Sequence, residues 1–329
     1  MTEYEKFWDE MSKTEEVDYD DEMINRLLRL KAIQSHLSGV HKILDVGAAT
    51  GAYSIPLARM GFDVVHLDLS DEMIKAAKDK AIGLTNIQFI KHDACCLDVF
   101  ENNEFDLVLC FDGAISFSGS KAEDVIAEIC RVGKKVMLSV SSKSCMTVTW
   151  LNYSLSKLHY IHPSVKDIME TGCFNKENYD NAEELTSIAE LKAYDIDELR
   201  DVLNKNGMNV LECRSIGSLT HLYLLHLYRQ NSAQEVHKKI NEISMDKKFL
   251  EICDYYDKYV EAHAHKAKWN RRSFLFQCVP DDIRNSIIRR SSKINIHIEC
   301  SRENKADQRR KQYTCLLYTS PSPRDISGS

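Results

Sequence analysis

Asp45-Val46-Gly47-Ala48-Ala49-Thr50-Gly51 sets an acid two residues ahead of a loop of small side chains. Gly47 and Gly51 let the backbone pass close to a ligand, and Ala48 and Ala49 keep the loop slim. The spacing is G-x-x-x-G and not the G-x-G-x-x-G of a dinucleotide fingerprint, so the glycine that seats a pyrophosphate is missing. An acid so close to the first glycine is poorly placed for a phosphate and suits a cationic amino-acid group. The loop thus favours a nucleoside carrying an amino acid over a nicotinamide dinucleotide. Twenty-one residues after Gly47, Asp68 ends the run VVHLDLS. A carboxylate at a strand end can accept hydrogen bonds from both ribose hydroxyls. Alone, such an acid is more often a solvated turn residue or a helix cap; the loop at the matching distance favours the ligand role. His92-Asp93-Ala94 brings a further acid to which an adenine amino group could donate, and Cys110-Phe111-Asp112-Gly113-Ala114 places Phe111 and Asp112 at another strand end.

Other reactive side chains have two readings. His159 and His162, in LHYIHPS, could line an acceptor pocket or supply a base, or be structural residues of an insertion. Asp112 could touch the acceptor or merely cap the next turn. Phe7, Trp8, Tyr153 and Tyr160 could form a lid over an apolar acceptor, although Phe7 and Trp8 also suit the buried stripe of an amphipathic helix. His263 and His265 stand two apart and do not share a helical face, with only Glu261 nearby, so no metal site is expected. The eleven cysteines contain no C-x-x-C pair, and Cys95-Cys96 is vicinal; reduced, mostly buried thiols are expected.

The elements that must position these residues are legible from periodicity. KILDVG, DVVHLDL, IQFIKHD, FDLVLCF and KKVMLSV are short apolar runs suited to strands buried on both faces of a parallel sheet. Helical segments lie between them: YSIPLARMG, then SDEMIKAAKDKA with a serine N-cap and acids in its first turn, then KAEDVIAEICRVG. This alternation predicts a doubly wound, mostly parallel α/β sheet of seven strands with helical insertions. The rhythm breaks over residues 141–193, resumes with DIDELRDVLNKNG and MNVLECRSIG, breaks again over about 221–266, and ends with SFLFQCVP as a final strand.

The ordered set DVGAATG, LDLS, HDA and FDLVLCFDG resembles the motifs of class I S-adenosylmethionine-dependent methyltransferases, in particular those acting on small molecules. The resemblance is close over about residues 30–140 and looser over 195–279. The family's loop usually reads D-x-G-x-G-x-G, and here Ala49 replaces the middle glycine. The resemblance implies a Rossmann-like methyltransferase fold and S-adenosylmethionine as cofactor, released as S-adenosylhomocysteine. It implies that Asp45 and Gly47 lie by the methionine moiety, Asp68 on the ribose, Asp93 and Ala94 by the adenine, and Phe111 near the sulfonium or the adenine. Ala48, Ala49, Gly51 and Leu69 complete the expected cofactor set. No catalytic residue is marked, since methyl transfer needs a base only if the acceptor must lose a proton early; Asp112 and His162 are the weak candidates. Two alternatives stand beside this reading: a catalytically inactive methyltransferase-like regulatory module, and an NAD(P)-dependent oxidoreductase.

Composition narrows the partners. A 329-residue chain with 43% apolar residues can bury a large core. Its net charge of −7 argues against non-specific nucleic-acid binding. The absence of a secretory h-region and of a long apolar run suggests a cytoplasmic enzyme without a membrane partner, acting on a small-molecule acceptor. Residues 1–30 carry ten acids against four bases, and residues 281–312 nine bases against five acids. These ends read as flanks: a helical cap over residues 1–30 and a basic extension over 281–314, around a methyltransferase domain spanning 31–280. The N-terminal helical segment and the insertion at 141–193 are expected to cover the substrate. The final CLLYTSPSPRDISGS, from Cys315, reads as a translated sequencing adaptor and is expected to be disordered.

Overall fold

The computed structural model describes residues 2–15, 20–111, 113–214, 217–264 and 295–301. Two helices, α1 (Glu3–Glu15) and α2 (Asp20–Ser35), precede an alternation of strand and helix. It runs β1 (Lys42–Val46), α3 (Ser54–Arg59), β2 (Asp63–Asp68), α4 (Asp71–Lys80), β3 (Ile87–Lys91), β4 (Leu107–Cys110), α5 (Ala122–Val132) and β5 (Lys135–Ser141). An insertion follows, with α6 (Lys143–Tyr153), α7 (Ser164–Thr171), β6 (Cys173–Asn175), α8 (Ala182–Leu185) and β7 (Glu190–Lys192). Then come α9 (Ile196–Lys205), β8 (Asn209–Arg214), α10 (Ser218–Tyr228), α11 (Ala233–Ser244), α12 (Lys247–Ala264) and β9 (Asn295–Ser301).

The main sheet has the order β3-β2-β1-β4-β5-β9-β8. Its first five strands are parallel, and β9 runs antiparallel between β5 and β8. The expected doubly wound α/β architecture is therefore present. Its strands arise where branched apolar residues are continuous: all four residues of β4 are buried. Local signals set the helix starts. The Ser70 hydroxyl caps α4 by accepting from the Met73 N–H at 3.1 Å, with Asp71 and Glu72 in the first turn. Glu198 reaches back to the Asp195 N–H at 2.9 Å to open α9.

Helices cover both faces. On one, Val125, Ile126 and Ile129 of α5 and Leu199 and Leu203 of α9 pack on Val46, Val108 and Val136. On the other, Ile24, Leu28, Ala32 and Ile33 of α2 join Leu57 of α3, Leu224 of α10, Ile240 of α11 and Cys253 of α12 against Ile43, Leu109 and Met137. The insertion carries a satellite core around Met146, Trp150, Ile168 and Phe174, completed by the antiparallel pair β6–β7.

Both chain ends differ from their reading as flanks. The acids of residues 20–35 mask a stripe at i, i+4 and i+8 (Ile24, Leu28, Ala32) that sits fully inside the second core layer. A count of charges cannot see such a stripe. The expected last strand, residues 273–280, lies outside the described residues. The seventh strand is instead Asn295–Ser301, within the segment read as a basic extension. There the run I-H-I-E-C alternates with period two, and Ile296, Ile298 and Cys300 register with Val140, Leu138 and Val136. Among the described residues no helix is long and apolar enough to cross a membrane.

Candidate functional site

The ends of β1 and β2 converge on the loop that follows β1. Asp45, buried near the end of β1, uses Oδ2 to accept from the Ser54 N–H at 3.0 Å, tying strand to helix start across the loop. Gly47 has φ +67°, and a Cβ there would lie 2.6 Å from the Ala114 Cβ, so only glycine fits between the loop and the turn after β4. Ala49 also has positive φ, +46°, an uncommon conformation for a residue with a Cβ. What holds it there is visible: its N–H donates to Asp68 Oδ2 at 2.8 Å. The other carboxylate oxygen, Oδ1, accepts from the Ser70 N–H at 2.9 Å. Asp68 is thus fixed through both oxygens. Burial raises its carboxyl above the usual range, while the N–H groups of Ser70, Ala49 and Leu69 oppose that shift.

His66, two residues before Asp68 and on the same face of β2, supports the loop from beneath. Its Nδ1 pairs with the Ser54 hydroxyl at 2.8 Å, and its ring lies 5.0 Å from that of Phe89. Burial, aided by Lys78 and Lys80, lowers its pKa from 6.5 to about 4, so it is neutral at physiological pH.

After β3, Asp93 is exposed and its Oδ1 accepts from the Cys95 N–H at 2.9 Å, with Ala94 half-buried between them. Burial and Asp93 push the Cys95 thiol up to about 11, which keeps it protonated and unreactive. After β4, Phe111 is buried and meets Tyr53 edge to face at 5.2 Å. The Tyr53 hydroxyl accepts from Arg29 Nη1 at 2.9 Å, and Arg29 pairs with Glu22 at 3.4 Å, so α2 reaches this edge with a buried charged pair. Asp45, Gly47, Ala48, Ala49, Gly51, Asp68, Leu69, Asp93, Ala94 and Phe111 therefore all lie at or just beyond the carboxyl ends of four adjacent strands. In open α/β sheets that edge is where ligands bind.

Other expected residues fall differently. Asp112 lies outside the described residues. His162 is buried with both ring nitrogens engaged inside the insertion, Nδ1 with the Ser164 hydroxyl at 2.7 Å and Nε2 with the Asp180 carbonyl at 3.1 Å. Its geometry is that of a structural brace, because neither nitrogen is left for a substrate proton. His159 is exposed with φ +62° at the end of a helical turn. Tyr153 is buried against Trp150, and Tyr160 is exposed. Trp8 packs against Phe117 at 5.9 Å, so α1 does reach the turn after β4. Sequence reasoning missed Ser54, His66, Arg29 and Tyr53. For His66 a signal existed: its i, i+2 relation to Asp68 on one strand face. For Arg29 none did, since a charged residue on an acidic helix gives no hint of burial.

Residues 43–135 match the family described as a methyltransferase domain. The chloroplastic magnesium protoporphyrin IX methyltransferase of Arabidopsis thaliana is 34% identical over 122 residues, covering 36% of this chain and 38% of the relative. The demethylmenaquinone methyltransferase of Renibacterium salmoninarum is 40% identical over 93 residues, covering 28% and 37%. The chain thus spans less than two fifths of the length of these curated relatives. Among solved structures, the magnesium protoporphyrin IX methyltransferase of Synechocystis PCC 6803 with bound SAH is 19% identical, with a TM-score of 0.43, covering 60% of this chain and 81% of that one.

Proposed function

We propose that this chain, whose residues 43–135 are a class I S-adenosylmethionine-dependent methyltransferase domain, transfers a methyl group from S-adenosylmethionine to a small-molecule acceptor. The observation that carries the reading is the order of acids along one sheet edge. Asp45, Asp68 and Asp93 stand at the ends of β1, β2 and β3 around a loop with positive φ at Gly47, Ala49 and Gly51. The donor set fits such a cofactor: one carboxylate for an ammonium, one fixed carboxylate for two ribose hydroxyls, and one exposed carboxylate for an adenine amine.

When bound, the cofactor supplies a methyl group on a sulfonium, activated for in-line displacement. The chain's task is then orientation and exclusion of water. Asp68, held by Ala49 and Ser70, would fix the ribose. Asp45 and the loop at Gly47 would place the methionine portion, and Phe111 with Tyr53 would give the reacting end an apolar wall. Asp93 and Ala94 would meet the adenine. No side chain in this set needs to move a proton.

A small-molecule acceptor is supported by the net charge of −7, which disfavours a nucleic-acid substrate. It is supported also by two relatives whose names specify magnesium protoporphyrin IX and demethylmenaquinone. The test is an acceptor screen with cofactor labelled in its methyl group, using metabolite fractions, a nucleic-acid pool and a protein pool. Label appearing in a small molecule supports the reading. Label confined to protein or nucleic acid contradicts it.

A further inference from the structure

The N-terminal helix is seated across the cofactor edge, and its fastenings differ in kind from those of its neighbour. On one side, Glu5 pairs with Lys91 at the end of β3 at 3.4 Å. Next, Asp9 Oδ1 accepts from the Ser70 hydroxyl at 2.5 Å and from the Glu72 N–H at 3.3 Å. Ser70 is the residue whose own N–H holds Asp68. On the far side, the Tyr4 hydroxyl donates to the Phe117 carbonyl at 3.3 Å, and Trp8 leans on the Phe117 ring. Phe117 belongs to the turn after β4. One helix therefore bridges the ends of β3 and β2 and the turn after β4, passing over Asp68 and Asp93.

Tyr4 is the residue that looks inward. More than a third of it is exposed, at 37%, yet its hydroxyl is turned toward the cleft. Burial of that end, with the Asp93 and Asp68 carboxylates in reach, pushes the phenol up to about 12 against an opposing contact with Trp8. Its one proton goes to the Phe117 carbonyl, which leaves the hydroxyl oxygen as an acceptor beside the two acids assigned to adenine and ribose.

The polar fastenings are at most part-buried, and the one aromatic fastening, Trp8 on Phe117, sits at the margin of the insertion's core. Among the described side chains of α1 only Met11 is fully buried, whereas α2 buries Ile24, Leu28, Ala32 and Ile33. Exposed ion pairs contribute little to stability, so α1 can lift without disturbing the sheet.

We propose that α1 is the closing wall of the cofactor cleft, that Tyr4 and Trp8 are cofactor-facing residues, and that the helix lifts for the nucleoside to enter and leave. This rests on the S-adenosylmethionine reading above. It adds a site contribution from outside the methyltransferase motifs and makes nucleoside exchange depend on the helix's polar clamps.

The test uses the full chain and S-adenosylhomocysteine. Hydrogen exchange should show amides of residues 3–15 gaining about tenfold protection on binding, as expected when a locally opening segment is held shut. In stopped flow, Tyr4→Phe and Trp8→Ala should each raise the dissociation rate about tenfold, and Asp9→Asn should speed both association and dissociation. Unchanged melting temperatures would show that the variants remain folded. Binding with unchanged protection of residues 3–15, or variants exchanging the nucleoside at wild-type rates, would overturn this inference and leave the donor reading standing. No binding to the wild-type chain would overturn both.

Discussion

The ends of β1 and β2 and the insertion after β5 are both rich in polar side chains, and they spend them differently. At the strand ends, Asp45 accepts from the Ser54 N–H, and Asp68 accepts from the Ala49 and Ser70 N–H groups, so the two carboxylates pin the loop after β1. In the insertion, His162 uses both ring nitrogens internally, and Lys143, nearly buried, is consumed by Glu198 at 2.5 Å. The first region is organised to hold a loop at the carboxyl edge of the sheet, where the proposed cofactor would sit. The second is organised to hold itself against the sheet. A polar residue therefore points to a site when its bonds shape a loop at the sheet edge, and not when they only close an insertion on itself.

Breaking this contrast is most direct at Gly47. Gly47→Ala should cost about 2–4 kcal/mol, combining left-handed strain with the clash against Ala114. Urea unfolding would measure it, and a loss under about 1 kcal/mol, below even the left-handed strain alone, would mean that the loop relaxes away from the turn.

The next effect is one of pH. His66 titrates at 6.5 when unfolded and at about 4 when folded. The unfolded chain thus binds the proton first, and stability present above pH 6.5 is lost as pH falls toward 4, by up to about 3 kcal/mol. Thermal melts across that window should show His66→Gln with a flatter pH dependence than the wild type. Parallel curves would place the titrating group elsewhere.

His162→Ala sharpens the comparison from the insertion's side. It should lower stability by about 1–3 kcal/mol through the stranded Ser164 and Asp180 partners, while S-adenosylhomocysteine affinity stays within about twofold. A weakened affinity at unchanged stability would make His162 part of the site.

Smallest is Ala49→Gly, which removes the strain at φ +46°. It should change stability by less than about 1 kcal/mol, since relief of strain is offset by unfolded-state entropy, and should leave nucleoside binding intact. Isothermal titration and chemical unfolding on the same sample would separate the two effects.

What the sequence revealed divides along the same line. The parallel strands, the capped α4 and the placement of Asp45, Asp68 and Asp93 at strand ends were legible because each depends on local period or on spacing along the chain. Arg29 beneath Tyr53, the buried stripe of α2 and the insertion of β9 between β5 and β8 were not legible. They depend on which distant element comes to cover a face, and charge counts at the two ends pointed away from the core. For His162 the sequence offered a structural reading beside the functional one, but not its partners, because Ser164 and the Asp180 carbonyl meet it only after the insertion folds.

The central claim is that the edge formed by Asp45, Asp68 and Asp93 holds a sulfur nucleoside, and calorimetric titration tests it most directly. S-adenosylhomocysteine should bind the wild-type chain saturably, NADH should not, and Asp68→Ala should weaken the first by about 1–3 kcal/mol. Absence of S-adenosylhomocysteine binding, or preference for NADH, would contradict the account.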